Sequence, residues 1–200
     1  ISIRPTASSA RITGLSIDLR AHLRRIKPEK HLRQLAPRRP DHLVAAADFM
    51  VGGRAAILVD TNVYIHAAAG TLPAAVKLLV VQGLLFHCSV CIGELSTGIA
   101  NADPAHVGWK ALRDHYAGVI ASIPTTRLLT PDPDIWAEAG LIAGTLARAQ
   151  NWQRHQRKEA LNDALIFLTA AKAGLPVLTA NCDEFDLIQQ LAPHGRFIHF

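Results

Sequence analysis

Beyond Ala55 the chain alternates short apolar runs with longer stretches of helical periodicity, separated by turn-forming residues. Such a series is best buried as a parallel sheet, because each strand must be followed by a crossover long enough to hold a helix. Strands are predicted at residues 57–59, 84–90, 126–129, 177–179 and 197–200. Helices are predicted at 73–82, through Glu94 and Leu95, and from Pro104 toward Ile120 with Asp103 as cap. Others run from Asp132 or Asp134 to about Arg148, over 160–173, and over 183–191. A polar loop is expected at 151–158, and Gly174 with Pro176 ends the helix before the fourth strand. The expected fold is α/β: a doubly wound parallel sheet of about five strands flanked by helices.

Half of the 200 residues are hydrophobic, enough for one continuous core. The apolar runs at 55–59 and 78–81 fall far short of the ~20 residues of a membrane helix, so no membrane association is expected. Cys88 and Cys91 form a C-x-x-C with no second pair at zinc-site spacing, and with Cys182 they read as packed thiols of a reducing, cytoplasmic compartment.

The charge is unevenly divided. Residues 1–55 hold eleven Lys or Arg against four acids, a net of +7, whereas the remainder carries −2. We therefore read 1–55 as a basic, partly helical extension and 56–200 as the α/β domain. Leu15, Leu19, Leu23 and Ile26 recur at helical spacing with Arg20, Arg24, Arg25 and Lys27 between them, which predicts a basic amphipathic helix ending before Pro28. Its apolar stripe needs a cover: the domain itself or a second copy. A basic arm also suits polyanions, through counterion release.

Open parallel sheets bind ligands beyond the carboxyl ends of their strands. Asp60 follows the first strand directly, Glu94 lies in the first turns of the helix after the second with Ser89 near its cap, and Asp163 is expected in the first turn of its helix. Asn181 and Asp183 follow the fourth strand. Gathered in one crevice, such acids repel one another and lose hydration unless a cation neutralises them, and oxygen-only ligands suit Mg²⁺ or Mn²⁺. Each acid alone could equally cap a helix or face solvent; their joint placement carries the argument.

The runs Val59-Asp60-Thr61-Asn62, Ser89 with Glu94-Leu95, Asn162-Asp163-Ala164-Leu165-Ile166, and Leu178-Thr179-Ala180-Asn181 with Phe185, in this order, resemble the PIN-domain nucleases. More narrowly, the chain is similar to the toxin ribonucleases of VapBC toxin-antitoxin modules, over residues 56–200. The resemblance implies a PIN-like sheet and a metal-dependent endoribonuclease in which Asp60, Glu94, Asp163 and a fourth acid hold one or two Mg²⁺ or Mn²⁺ ions. It also implies Asn62 as orienter of Asp60, supporting roles for Thr179, Asn181 and Glu184, an RNA substrate, an antitoxin partner and a homodimer. The family often has an acid two residues after the threonine, where this chain has Asn181, and an Asp before the phenylalanine, where it has Glu184. The fourth ligand lies among Asp183, Glu184 and Asn181, with Asp183 expected.

Trp152, Arg154, His155, Arg157 and Lys158 precede the Asp163 helix, and an aromatic interleaved with bases can hold phosphates and stack a base. Trp152, Arg154, Arg157 and Lys158 are therefore candidate substrate contacts. Two other readings stand beside the nuclease: a catalytically weak PIN-like module that only binds RNA, and phosphoryl transfer from Asp60, which would want an acid where Asn62 stands. The basic arm is further expected to cover the groove in cis and restrain activity.

Overall fold

The computed structural model describes residues 17–49 and 55–200. Its sheet contains β1 (Ala56–Val59), β2 (Leu84–Cys88), β3 (Leu128–Leu129), β4 (Pro176–Thr179) and β5 (Arg196–His199), in the order β3-β2-β1-β4-β5. Every pairing is parallel, with Leu58 opposite both Phe86 and Val177. Eight helices connect or flank the strands among the described residues: α1 (Leu19–Ile26), α2 (Thr61–Ala68), α3 (Ala74–Gln82), α4 (Ser89–Asn101), α5 (Trp109–Ala121), α6 (Pro133–Ala149), α7 (Arg154–Lys172) and α8 (Cys182–Leu191). The α/β architecture read from the sequence is the one observed.

Strand side chains alternate between two apolar clusters, as a period of two requires. Leu58, Val177 and Phe197 join Ile142, Leu146, Leu165 and Phe167 on one side, while Ile57, Val59, Leu178 and Ile198 join Val63, Val76 and Leu79 on the other. Both faces of the central strands are thus covered, which explains why these strands read as uninterrupted apolar runs. Burying each of these side chains stabilises the fold by ~1.5–3 kcal/mol. Gly195 is held glycine by this packing, since a Cβ there would lie 2.3 Å from Phe167 Cε1.

Several boundaries differ from expectation. A helix absent from the sequence reading, α2, follows β1 directly, with the Asp60 side chain accepting from the Thr61 N–H as its cap. Asp103 caps only a turn, through the Ala105 N–H at 2.9 Å, and α5 begins at Trp109 rather than Pro104. The expected loop at 151–158 is helical from Arg154 onward, which puts Asp163 in the third turn of α7 instead of its first.

The basic arm is a strap laid on the α/β unit. Asp18 caps α1, and the helix buries His22 and Ile26 while leaving Leu19 and Leu23 partly exposed; Leu15 lies outside the described residues. His22 Nε2 meets Asp134 at 2.8 Å and Arg25 meets buried Glu138 at 2.6 Å, both acids on α6. Farther on, Gln150 donates to the Leu35 carbonyl, and Arg38 forms an ion pair of 2.5 Å with fully buried Asp186 of α8. The strap finally pairs in parallel with β5, through His199 N–H to Val44 and Ala46 N–H to His199. Its described residues therefore lie on α6, α8 and β5, contrary to the expectation that the arm covers the acidic groove.

Candidate functional site

The strand order reverses between β1 and β4, where neighbouring crossovers leave in opposite directions and a crevice opens beyond the strand ends. Asp60 sits at the end of β1 and Thr179 closes β4. The Asp60 carboxylate is buried and accepts from the Thr61 N–H at 2.7 Å, the Asn62 amide at 2.6 Å and the Thr179 hydroxyl at 2.8 Å. Asn62 is itself fixed, because its carbonyl oxygen accepts the Ala180 N–H at 3.0 Å. Thr179 also accepts from the Asn181 N–H, so the loop after β4 is tied to the first acid.

Glu94, in the second turn of α4, turns toward the same crevice. Its carboxylate accepts from the Thr61 hydroxyl and from the Asn162 amide, the latter at 2.8 Å. Asp163, buried on α7, accepts from the Asn181 amide at 2.9 Å. Ligand atoms of Asp60, Cys91 and Glu94 all lie within 4.8 Å of one another.

The electrostatics follow from this crowding. Burial raises the Asp60 carboxyl to about 6, and the Glu94 charge adds to it, even though three donors pull the other way. Asp163 is pushed well above the carboxylate range, first by burial and then by the charges of Asp60, Glu94 and Glu184. Among the described residues, no Lys, Arg or His forms an ion pair with Asp60, Glu94 or Asp163. Hard oxygen donors, two of them buried and short of a countercharge, suit a divalent cation such as Mg²⁺ or Mn²⁺. Cys91 and Cys88 are buried thiols raised by burial, Cys88 to about 11, and both are free.

Of the expected acids, the structure brings Asp60 and Glu94 within ligand distance of one another, with Asp163 near enough for both charges to act on it. Asp183 faces solvent on the first turn of α8, whereas Glu184, its neighbour, acts electrostatically on Asp163. The candidate substrate contacts also separate. Lys158 and His155 line a cleft of about 660 Å³ that shares Glu94 and Asn162 with the acidic crevice. Arg157 faces a different depression beside Arg148 and Leu161, with its Nε donating to the Trp152 carbonyl at 3.1 Å. Trp152 is partly buried and packs against the core. Arg154 opens α7 as an exposed residue.

Thr61, Asn162 and Trp136 belong to this site without having been singled out by the sequence. The first two adjoin Asp60 and Asp163 in the chain, and that adjacency was the available signal. Trp136 offered none, since it enters the cleft from the first turns of α6.

No family model and no curated protein matches this chain. Among solved structures, VapBC2 from Rickettsia felis bound to a DNA fragment from its promoter superposes with a TM-score of 0.51 at 14% identity, over 72% of this chain and 98% of that one. FitAcB from Neisseria gonorrhoeae gives a TM-score of 0.51 at 21% identity, over 72% of this chain and 96% of that one. At these identities the likeness is one of fold, and the fold is PIN-like.

Proposed function

We propose, on the premise of the PIN-like fold, that the chain is a metal-dependent endoribonuclease hydrolysing phosphodiester bonds in RNA, and that it serves as the toxin of a type II toxin-antitoxin module. The convergence of Asp60, Glu94 and Asp163 beyond the β1 and β4 ends, with no basic partner among the described residues, carries this reading. These three would hold Mg²⁺ or Mn²⁺, with Glu184 in preference to Asp183 as the fourth acid, because its charge bears on Asp163. Such an ion would offset phosphate charge and lower the pKa of a nearby water.

The chain's own residues supply preorganisation. Thr61, Asn62 and Thr179 fix Asp60; Thr61 and Asn162 fix Glu94; Asn181 fixes Asp163. Carboxylates already held by such donors need little rearrangement when the substrate arrives. Lys158 and His155, one wall away, are placed to attract the phosphate backbone.

The likeness of fold to VapBC2 and FitAcB supports an antitoxin partner as part of the same proposal, to which a homodimer is added on the sequence resemblance alone. The proposed RNA target is cytoplasmic; no helix among the described residues is long and apolar enough to cross a membrane.

Asp163→Asn tests the reading. It should lower Mn²⁺-dependent cleavage of single-stranded RNA by ~10³-fold or more with the circular dichroism spectrum unchanged. Full activity of that variant, with or without metal, would refute it. Asn181, standing where the resemblance expects an acid, favours a second reading as a module that binds RNA without cleaving it. Turnover by the wild-type chain with Mn²⁺ excludes that alternative.

A further inference from the structure

The cleft beside Glu94 has features that phosphodiester hydrolysis alone does not require. Its lining includes Trp136, half exposed near the amino end of α6, together with His155 and Lys158 on the first turns of α7. The protein's other two tryptophans are engaged. Trp109 donates from its indole nitrogen to the Ile99 carbonyl at 3.2 Å and lies under Arg113, and Trp152 packs against the core. An indole left half in solvent beside an acidic crevice is an unspent stacking surface.

We infer that this cleft is a nucleotide subsite in which one unpaired base of the RNA stacks on Trp136 while the adjoining phosphate is held by Lys158 and His155. The inference rests on the nuclease reading and extends it to the form of the substrate. Three observations select this occupant. The cleft is continuous with the crevice through Glu94 and Asn162, so a chain threaded past the acids must enter it. Its basic groups sit at the amino-terminal end of a nineteen-residue helix, whose dipole adds to their attraction for an anion. A volume of about 660 Å³ takes a nucleotide or two and not a duplex, whose bases have no free face to offer. Specificity for single strands follows from the shape of the cleft, with no base-edge readout needed. Glu159 in the same lining disfavours a second phosphate there, which limits the subsite to one linkage.

The probe is a short 2′-O-methyl RNA oligonucleotide, which resists cleavage, offered single-stranded and as a blunt duplex to the full chain. Binding is followed by tryptophan fluorescence, with the Trp136→Phe signal subtracted, and independently by anisotropy of a labelled strand. The single strand should quench Trp136 and bind at least ~10-fold tighter than the duplex. Trp136→Ala should weaken it about tenfold, within the range for one stacked base, while Trp136→Phe stays close to wild type. In cleavage assays Trp136→Ala should raise KM about tenfold and leave kcat nearly unchanged. Equal affinity of Trp136→Ala and wild type, or of strand and duplex, would overturn the subsite. So would loss of self-association in Trp136→Ala at unchanged RNA affinity, which would mark the face as a contact between copies. Cleavage that persists with an unaltered KM in Trp136→Ala sinks the subsite and leaves the nuclease standing; absence of any cleavage by the wild type with Mn²⁺ sinks the nuclease itself.

Discussion

Asp60 accepts three hydrogen bonds, yet its enclosure outweighs them and its carboxyl rises from 3.8 to about 6. In the metal-free protein the native state therefore holds this proton more tightly than the unfolded chain does. The resulting stability is complete below about pH 4 and is lost as pH rises through about 6. Asp163 is shifted in the same direction. In chelator, the melting temperature of the wild type should fall relative to Asp60→Asn between pH 4.5 and 7, and Mn²⁺ at pH 7 should restore the wild type only; parallel melting curves for the two proteins would contradict this. At this scale the sequence disclosed the acids and not their orientation. Asp60 was legible because a strand end fixes it, but Asp183 and Glu184 differ by about 100° around a helix. The packing of Phe185, Leu187, Ile188 and Leu191 into the core sets the rotation of α8, and with it which of the two bears on Asp163. Trp152 was favoured for its basic neighbours in the chain, while the exposed indole, Trp136, reaches its basic neighbours only through space.

The strap, α6 and α8 are joined by polar contacts in an otherwise apolar setting. Asp186 is fully buried, and its oxygens are satisfied by the Arg38 N–H at 2.7 Å, the Arg38 Nε at 2.6 Å and the Gln190 amide at 2.8 Å. Removing the arginine leaves a buried carboxylate with no countercharge, so Arg38→Ala should cost about 3–5 kcal/mol in urea unfolding, whereas the exposed pair of Arg39 with Asp41 should contribute under ~1 kcal/mol. Equal losses for Arg38→Ala and Arg39→Ala would show that the strap is not held in this way. None of this was readable in advance, because an arginine in a basic arm looks like any solvated charge until its acid is located. The early start of α7 was hidden for a different reason. Residues 154–158 are all polar and give no apolar period, and the N-cap is Gln153, a position that Ser, Thr, Asp and Asn fill more often, with its N–H accepted by the Gln156 side chain three residues on. The helix over α2 escaped because its β-branched and polar residues show no clear amphipathic face.

For the whole molecule, the parallel sheet was legible because its strands, buried on both faces, announce themselves as short apolar runs between helical stretches. The relation of the arm to that sheet was not, since its contacts are made by scattered residues at large separations. Deleting residues 1–49 should accordingly weaken the fold: the core loses the buried side chains of Ile26 and Ala46, Asp186 its arginine and β5 its neighbour. Against a typical total stability of ~5–15 kcal/mol the loss should be severe, seen as a lowered melting temperature and faster amide exchange in α8 and β5; a truncated chain that melts like the full one and cleaves RNA faster would instead restore the idea of an inhibitory arm. The bridge between Ala45 and His199 also sets a clock for biosynthesis. A ribosome adding ~5–20 residues per second needs roughly 8 to 30 seconds between these two positions, and through that interval the early segment waits without its strand partner. A chain assembled on this plan is tethered at both sides of its sheet only when residue 199 has left the exit tunnel, so that nascent chains complete the scaffold last, well after the acids themselves have been made.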